Sequence, residues 1–186
     1  KLIKKNPKIF IGYSDITALH IAINQKSKLI TYHGPMILTE LIKGLDKYSA
    51  DYYKKFIFEH EKVEELFNPE GDNLEVINSG IASGQLIGGN LSLICSSLGT
   101  KYEINTKNKI LFLEEVEEVP YKIDRMLTHL KQSGKLEDAN GIILGAFTNC
   151  IAPTNKKSLS LQEVFNEIIL PLQKPTITNL VCGHCL

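Results

Sequence analysis

The stretch Ile9-Phe10-Ile11-Gly12-Tyr13-Ser14-Asp15-Ile16-Thr17-Ala18-Leu19-His20 decides the fold. A short apolar run, Ile9–Ile11, reads as a buried strand over residues 8–12. Ile16, Leu19, His20 and Ile23 then recur at three- and four-residue steps, which predicts a helix over 15–25. Ser14 therefore falls at a sharp strand-to-helix turn, the place where a nucleophile elbow exposes its hydroxyl. The helix N-terminus beyond it supplies backbone N–H groups that favour developing negative charge. The same residues also suit a simpler role, because Ser14, Asp15 and Thr17 could cap the free N–H groups of the helix.

Outward from this stretch, apolar runs and helical patterns alternate. Strands are expected at 29–32, 74–78, 81–86, 110–113, 141–147 and 177–181. Helices are expected at 39–43, 50–58, 91–98, 123–132 and 161–169. His33-Gly34-Pro35 breaks the second strand, and Gly88-Gly89-Asn90 reads as a tight turn into a helix, lacking the Lys-Ser/Thr of a phosphate loop. Such alternation predicts an α/β architecture. The charged, turn-rich segment 59–73 contains Asn68-Pro69-Glu70-Gly71-Asp72-Asn73 and marks a boundary. The expected organisation is a first domain over 1–60, a linker over 61–73 and a second domain over 74–186.

Composition narrows the functional classes. The 186 residues carry 21 basic and 21 acidic side chains, a balance that argues against a nucleic-acid partner. No apolar stretch reaches the length of a bilayer span, so no membrane partner is expected. Cys95, Cys150, Cys182 and Cys185 have no disulfide-framework spacing, and a reducing cytoplasm is the expected setting. The chain opens at Lys1-Leu2-Ile3 without Met and closes abruptly at His184-Cys185-Leu186, which reads as a piece of a longer protein.

Two more residues bear chemistry. Glu114 ends the apolar run Ile110–Leu113, and ligands of α/β folds gather at the carboxyl ends of strands. A solvated acidic loop is the competing reading, and Glu115, Glu117 and Glu118 are expected to face water or to pair with Lys122 and Arg125. His184 follows an apolar strand and Gly183, whose backbone freedom could aim the imidazole into a cleft. Ser14, Glu114 and His184 together are the inventory of a hydrolytic triad. Cys182-Gly183-His184-Cys185 also has the spacing of a thiol–disulfide motif, but no helix follows it and Val181 stands where an aromatic residue is usual. Zinc held by Cys150, Cys182, His184 and Cys185 is a weak reading, because a single Cys pair has no second pair beside it.

With these residues in place, the chain resembles the LD-carboxypeptidases, serine peptidases that include the microcin C immunity proteins. The resemblance runs through Phe10–His20, His33-Gly34-Pro35, Gly88-Gly89-Asn90-Leu91, Leu98-Gly99-Thr100, Leu111–Val116, Tyr121, Ile123-Asp124-Arg125 and Gly183-His184, in the family's order. It implies a two-domain α/β fold, with an N-terminal parallel-sheet domain largely truncated here and a C-terminal α/β domain. It implies Ser14 as nucleophile, Glu114 as carboxylate and His184 as base. It also implies the Asp15 N–H as an oxyanion donor, and Tyr13, Gly89 and Asn90 as substrate contacts. The implied reaction removes the terminal D-alanine of a cytoplasmic murein tetrapeptide during wall recycling, with no cofactor or metal, in a homodimer. Cleavage of an aminoacyl nucleotide is the alternative within the family. That branch often stacks tryptophan on the base, and this chain has no Trp.

Overall fold

The computed structural model describes residues 1–59, 65–153 and 157–185. A short helix α1 (Leu2–Lys5) precedes strand β1 (Ile11–Gly12). A single 3-10 turn over Ser14–Ile16 leads into helix α2 (Thr17–Ser27). Strand β2 (Tyr32–His33) pairs parallel with β1, setting Ile11 opposite Tyr32 and Gly12 opposite His33. The expected strand over 8–12 thus shortens to two residues, because pairing reaches no further than its two-residue partner. The buried face of α2 is Thr17, His20 and Ile21, whereas Leu19 is exposed. The sequence pattern had put the apolar Leu19 inward. The helix instead turns a partly polar face inward, for a reason given by its contacts below.

The expected helix at 39–43 is a π-helical turn over Ile37–Leu41. Helix α3 (Lys47–Lys54) starts where the Asp46 carboxylate accepts from Ser49 N–H at 3.0 Å, and a second π turn follows over Lys55–Glu59. Of the expected linker, 61–64 lie outside the described residues. Residues 65–73 contain no helix or strand.

Beyond it lies a five-stranded sheet in the order β3-β7-β6-β5-β4. Its strands are β3 (Glu75–Asn78), β4 (Gln85–Asn90), β5 (Lys109–Val116), β6 (Gly141–Thr148) and β7 (Thr176–Thr178). Only β3 runs antiparallel, against β7. Helices α4 (Leu91–Ser96), α5 (Pro120–Gln132), α6 (Lys135–Asp138) and α7 (Leu161–Ile168) complete the fold, with a 3-10 turn at Leu170–Leu172. On α5, Ile123, Leu127 and Leu130 lie on one buried stripe at helical spacing. They join Leu91, Ile94, Leu111, Leu113, Ile142, Leu144 and Val164 in one core.

Two expectations change here. The strand predicted over 81–86 is β4 at 85–90, and Ile81 is almost fully exposed. Gly88 and Gly89 are therefore inside a strand rather than a turn, and Asn90 ends it by capping α4, accepting from Leu93 N–H at 3.2 Å. The physical reason is close approach. A Cβ on Gly89 would lie 2.5 Å from Thr17 Oγ1, so β4 can receive the first turn of α2 only without a side chain there. Thr17 Oγ1 accepts from the Asn90 backbone N–H at 3.0 Å. This contact explains the polar inward face of α2, and it ties the first segment to the sheet.

Candidate active site

Ser14 sits between β1 and the 3-10 turn with φ +61°. A serine held in this left-handed region costs of order 1–3 kcal/mol and persists only where its surroundings enforce it. The strained residue falls where the chain passes from strand to helix, the position the sequence suggested. The capping alternative is not what the structure shows. Among the described residues no side chain caps the 3-10 turn or α2, and the Thr17 hydroxyl serves Asn90 instead. Asp15 follows Ser14 at the exposed start of the turn.

The alternation of β5 sorts its acidic end. Leu111, Leu113 and Glu115 share one face, Phe112 and Glu114 the other. All five are buried. The strand runs on to Val116, past the expected stop at Glu114. Its register against β6 shifts between Leu113 and Glu115, the kind of irregularity that re-aims side chains near sites.

Glu115 corrects the expectation of a solvated side chain. One of its oxygens accepts from Asn90 Nδ2 at 2.8 Å and Val116 N–H at 3.0 Å. The other accepts from Ser92 N–H at 2.9 Å and Ser92 Oγ at 2.6 Å. Four donors satisfy this carboxylate and fix it as a structural pin. Asn90, expected at the substrate, is itself buried with both ends of its amide engaged within the protein. Gly89 backs Thr17. Glu118 pairs with Lys122 at 2.8 Å, as read from the sequence.

Glu114 is fully buried and meets His184. After β7 the chain stays beside β6: Leu180 N–H donates to Leu144 O at 3.3 Å, and Cys182 O accepts from Ala146 N–H at 3.0 Å. Gly183 then turns with φ +112°, and a Cβ there would come within 2.6 Å of Glu114 Oε2. That close passage lets Oε2 accept from His184 Nδ1–H at 2.7 Å and from the His184 backbone N–H at 3.2 Å. A carboxylate on Nδ1 holds the proton there and leaves Nε2 as the basic nitrogen.

Tyr13 links this pair to the Ser14 turn. Its ring meets the His184 imidazole edge-on, with centroids 4.7 Å apart. Its hydroxyl donates to Glu40 Oε1 at 2.6 Å. Burial, followed by the neighbouring Glu40 carboxylate, pushes the Tyr13 phenol up to about 12. Burial tends to raise the Glu40 carboxyl, but hydrogen bonds from Thr39, Tyr13 and the Met36 N–H outweigh it and hold the group below its ordinary range. The buried Glu40 was not singled out in the sequence, where Thr39-Glu40 reads as an ordinary helix start.

His33 was also unassigned beyond ending β2. It lies with Nε2 3.9 Å from Glu114 Oε1, its ring 5.4 Å from Phe112 and 6.2 Å from Tyr13. Burial first, then the nearby His20 and His184, pull its pKa down to about 3. His20 is lowered by burial and donates Nε2–H to Gly12 O at 2.8 Å. The four cysteines are free. Burial pushes the Cys182 thiol up to about 12 and raises Cys185, opposite to what a thiol–disulfide exchanger needs.

Comparison with known proteins places the chain in a family. The LD-carboxypeptidase C-terminal domain matches residues 83–186, and the LD-carboxypeptidase N-terminal domain matches 1–34. A probable murein peptide carboxypeptidase of Bacillus subtilis (strain 168) is 46% identical over 99% of this chain and 57% of its own length. The solved muramoyltetrapeptide carboxypeptidase from Oxalobacter formigenes superposes with a TM-score of 0.78 at 26% identity, over 98% of this chain and 60% of that one. MccF in complex with glutamyl sulfamoyl guanosine gives a TM-score of 0.82 at 25% identity, over 98% and 61%. The chain thus spans about three-fifths of the length of the relatives it matches. With both family domains matched in order, and near-half identity to a curated member across almost every residue, the chain belongs to the LD-carboxypeptidase family.

Proposed function

We propose that the intact protein is a serine carboxypeptidase that hydrolyses the bond before the terminal D-alanine of murein tetrapeptides, with Ser14, His184 and Glu114 as its triad. The carrying observation is the 2.7 Å Nδ1–H···Oε2 bond between His184 and a fully buried Glu114, with Tyr13, the residue before the strained Ser14, packed on the imidazole. His184 Nε2 takes the proton of Ser14 Oγ as the oxygen attacks the scissile carbonyl. Glu114 stabilises the imidazolium that forms. The Asp15 N–H donates to the oxyanion. His184 then returns its proton to the departing D-alanine nitrogen, and water releases the acyl group by the same steps. Tyr13 borders the bound peptide, and Gly89 and Asn90 act from behind it by seating Thr17 and Glu115. Residues 1–60 form the serine-bearing domain, 61–73 the linker and 74–186 the domain bearing Glu114 and His184. The setting is cytoplasmic wall recycling by a homodimer.

Mass spectrometry of a murein tetrapeptide incubated with the intact protein and with Ser14→Ala tests this. The expected result is loss of one alanine, abolished in the variant. A tetrapeptide left intact by the unsubstituted protein overturns the substrate. The likeness to MccF bound to glutamyl sulfamoyl guanosine makes an aminoacyl nucleotide the second substrate in the same assay. Cleavage of that compound alone would assign the chain to the immunity branch.

A further inference from the structure

The carboxylate of Glu114 is satisfied on one side only. Oε2 receives both His184 donors, whereas Oε1 has no hydrogen-bond partner among the described residues. Neither ring nitrogen of His33 has one either. The Glu114 side chain is wholly buried and that of His33 is 15% exposed. A buried carboxylate oxygen and a buried imidazole nitrogen thus face each other across 3.9 Å, each without a hydrogen-bond partner among the described residues. Both conditions are costly, because a buried polar atom without a partner keeps its full desolvation penalty. A single water bridging the two atoms at its tetrahedral angle, with bonds of about 2.8 Å, would hold them about 4.6 Å apart, more than this gap. A contraction of about 1 Å makes a direct bond.

We propose that His33 is a positioning residue for the reaction: its Nε2–H is the donor for Glu114 Oε1, and it holds the carboxylate so that Oε2 stays on His184 Nδ1. This rests on the triad reading above. β2 sets His33 opposite Gly12, two residues before Ser14, so one short strand pair fixes both the serine turn and the donor for the carboxylate. The donor works because it is neutral. A charged imidazole there would compete with His184 for the negative charge of Glu114. The titratable groups near the pair include Tyr13, His20, Cys150, Cys182, His184 and Cys185. The phenol and the three thiols are all raised and therefore uncharged near neutrality.

Nitrogen-15 NMR of the intact protein tests the idea without any substrate. His33 should carry its proton on Nε2 at neutral pH, and the Nδ1–H tautomer would overturn the proposal outright. His33→Phe keeps a ring among Tyr13, His20 and Phe112 but removes the donor. Concentrating more charge on Oε2 should raise the titration midpoint of His184 by about half a unit to one unit. His33→Gln, which restores an N–H near the same place, should bring the midpoint back. In turnover of the tetrapeptide, His33→Phe should lower kcat about tenfold with KM little changed, and His33→Gln should recover most of it. A His184 midpoint unmoved in folded His33→Phe would refute the role. If the unsubstituted protein releases no D-alanine, the substrate reading fails while the tautomer and the midpoints still decide the place of His33.

Discussion

Gly183→Ala puts the proposed role of the Glu114–His184 pair under direct test. The added Cβ would lie 2.6 Å from Glu114 Oε2, about 0.8 Å inside ordinary contact. Glu114 is fully buried and cannot swing into solvent. A shift of that size stretches the 2.7 Å bond to His184 Nδ1 to roughly 3.5 Å, the edge of hydrogen-bond range. Misplacement near 1 Å costs about a hundredfold in rate, and loss of a triad carboxylate about ten-thousandfold. Turnover should therefore fall at least about a hundredfold, or about 2.7 kcal/mol of transition-state stabilisation. Alanine at φ +112° adds of order 1–3 kcal/mol of backbone strain, which thermal melting will show. Gly99→Ala is the control, since it has φ +76° and nothing within 4 Å of the new Cβ. It should lower stability and leave the rate of the folded protein alone. The assay is steady-state release of D-alanine by the intact protein, paired with melts of both variants. A folded Gly183→Ala enzyme working within about threefold of the parent would refute the view that this close passage sets the base.

Two further outcomes follow from the carboxylates and the buried histidines. Glu115→Gln replaces an acceptor of four hydrogen bonds by an amide whose NH2 faces donors, so unfolding free energy should drop by about 2–3 kcal/mol in urea titrations, while Glu114→Gln acts chiefly on turnover. His33 is neutral when folded down to about pH 3 but takes up a proton near 6.5 when unfolded. Acid therefore favours the unfolded chain, and each unit below about pH 6.5 should remove up to about 1.4 kcal/mol, with His20 adding in the same direction. Urea midpoints at pH 7 and pH 5 should show a decline that is smaller in His33→Phe.

Much of this was legible in the residues themselves. The apolar run Ile110–Leu113 marks β5, and the spacing of Ile123, Leu127 and Leu130 marks α5. Strand, glycine, serine and helix in succession at 11–17 mark the strained turn. Other features escaped because their causes are distant in sequence. Gly88-Gly89 signals a turn unless Thr17, 72 residues earlier than Gly89, is known to press against the strand. Glu115 looks solvated within a run of acids, since its four donors depend on β4 and α4 as well as its own backbone. His33 gains its meaning only when parallel pairing sets it beside Gly12 and the sheet brings Glu114 to it.

The adjacent glutamates of β5 carry an evolutionary consequence. One faces His184 and the other pins the sheet to α4, and they stand on opposite faces only because a strand alternates. Adding or deleting a single residue between Lys109 and Glu114 would turn each glutamate to the face the other now holds, so that neither His184 nor Ser92 would keep the carboxylate it has. Point substitutions can explore this strand one side chain at a time, but changes of length cannot. Drift in length belongs to exposed turns such as the one around Glu70–Gly71, where nothing downstream is read by parity.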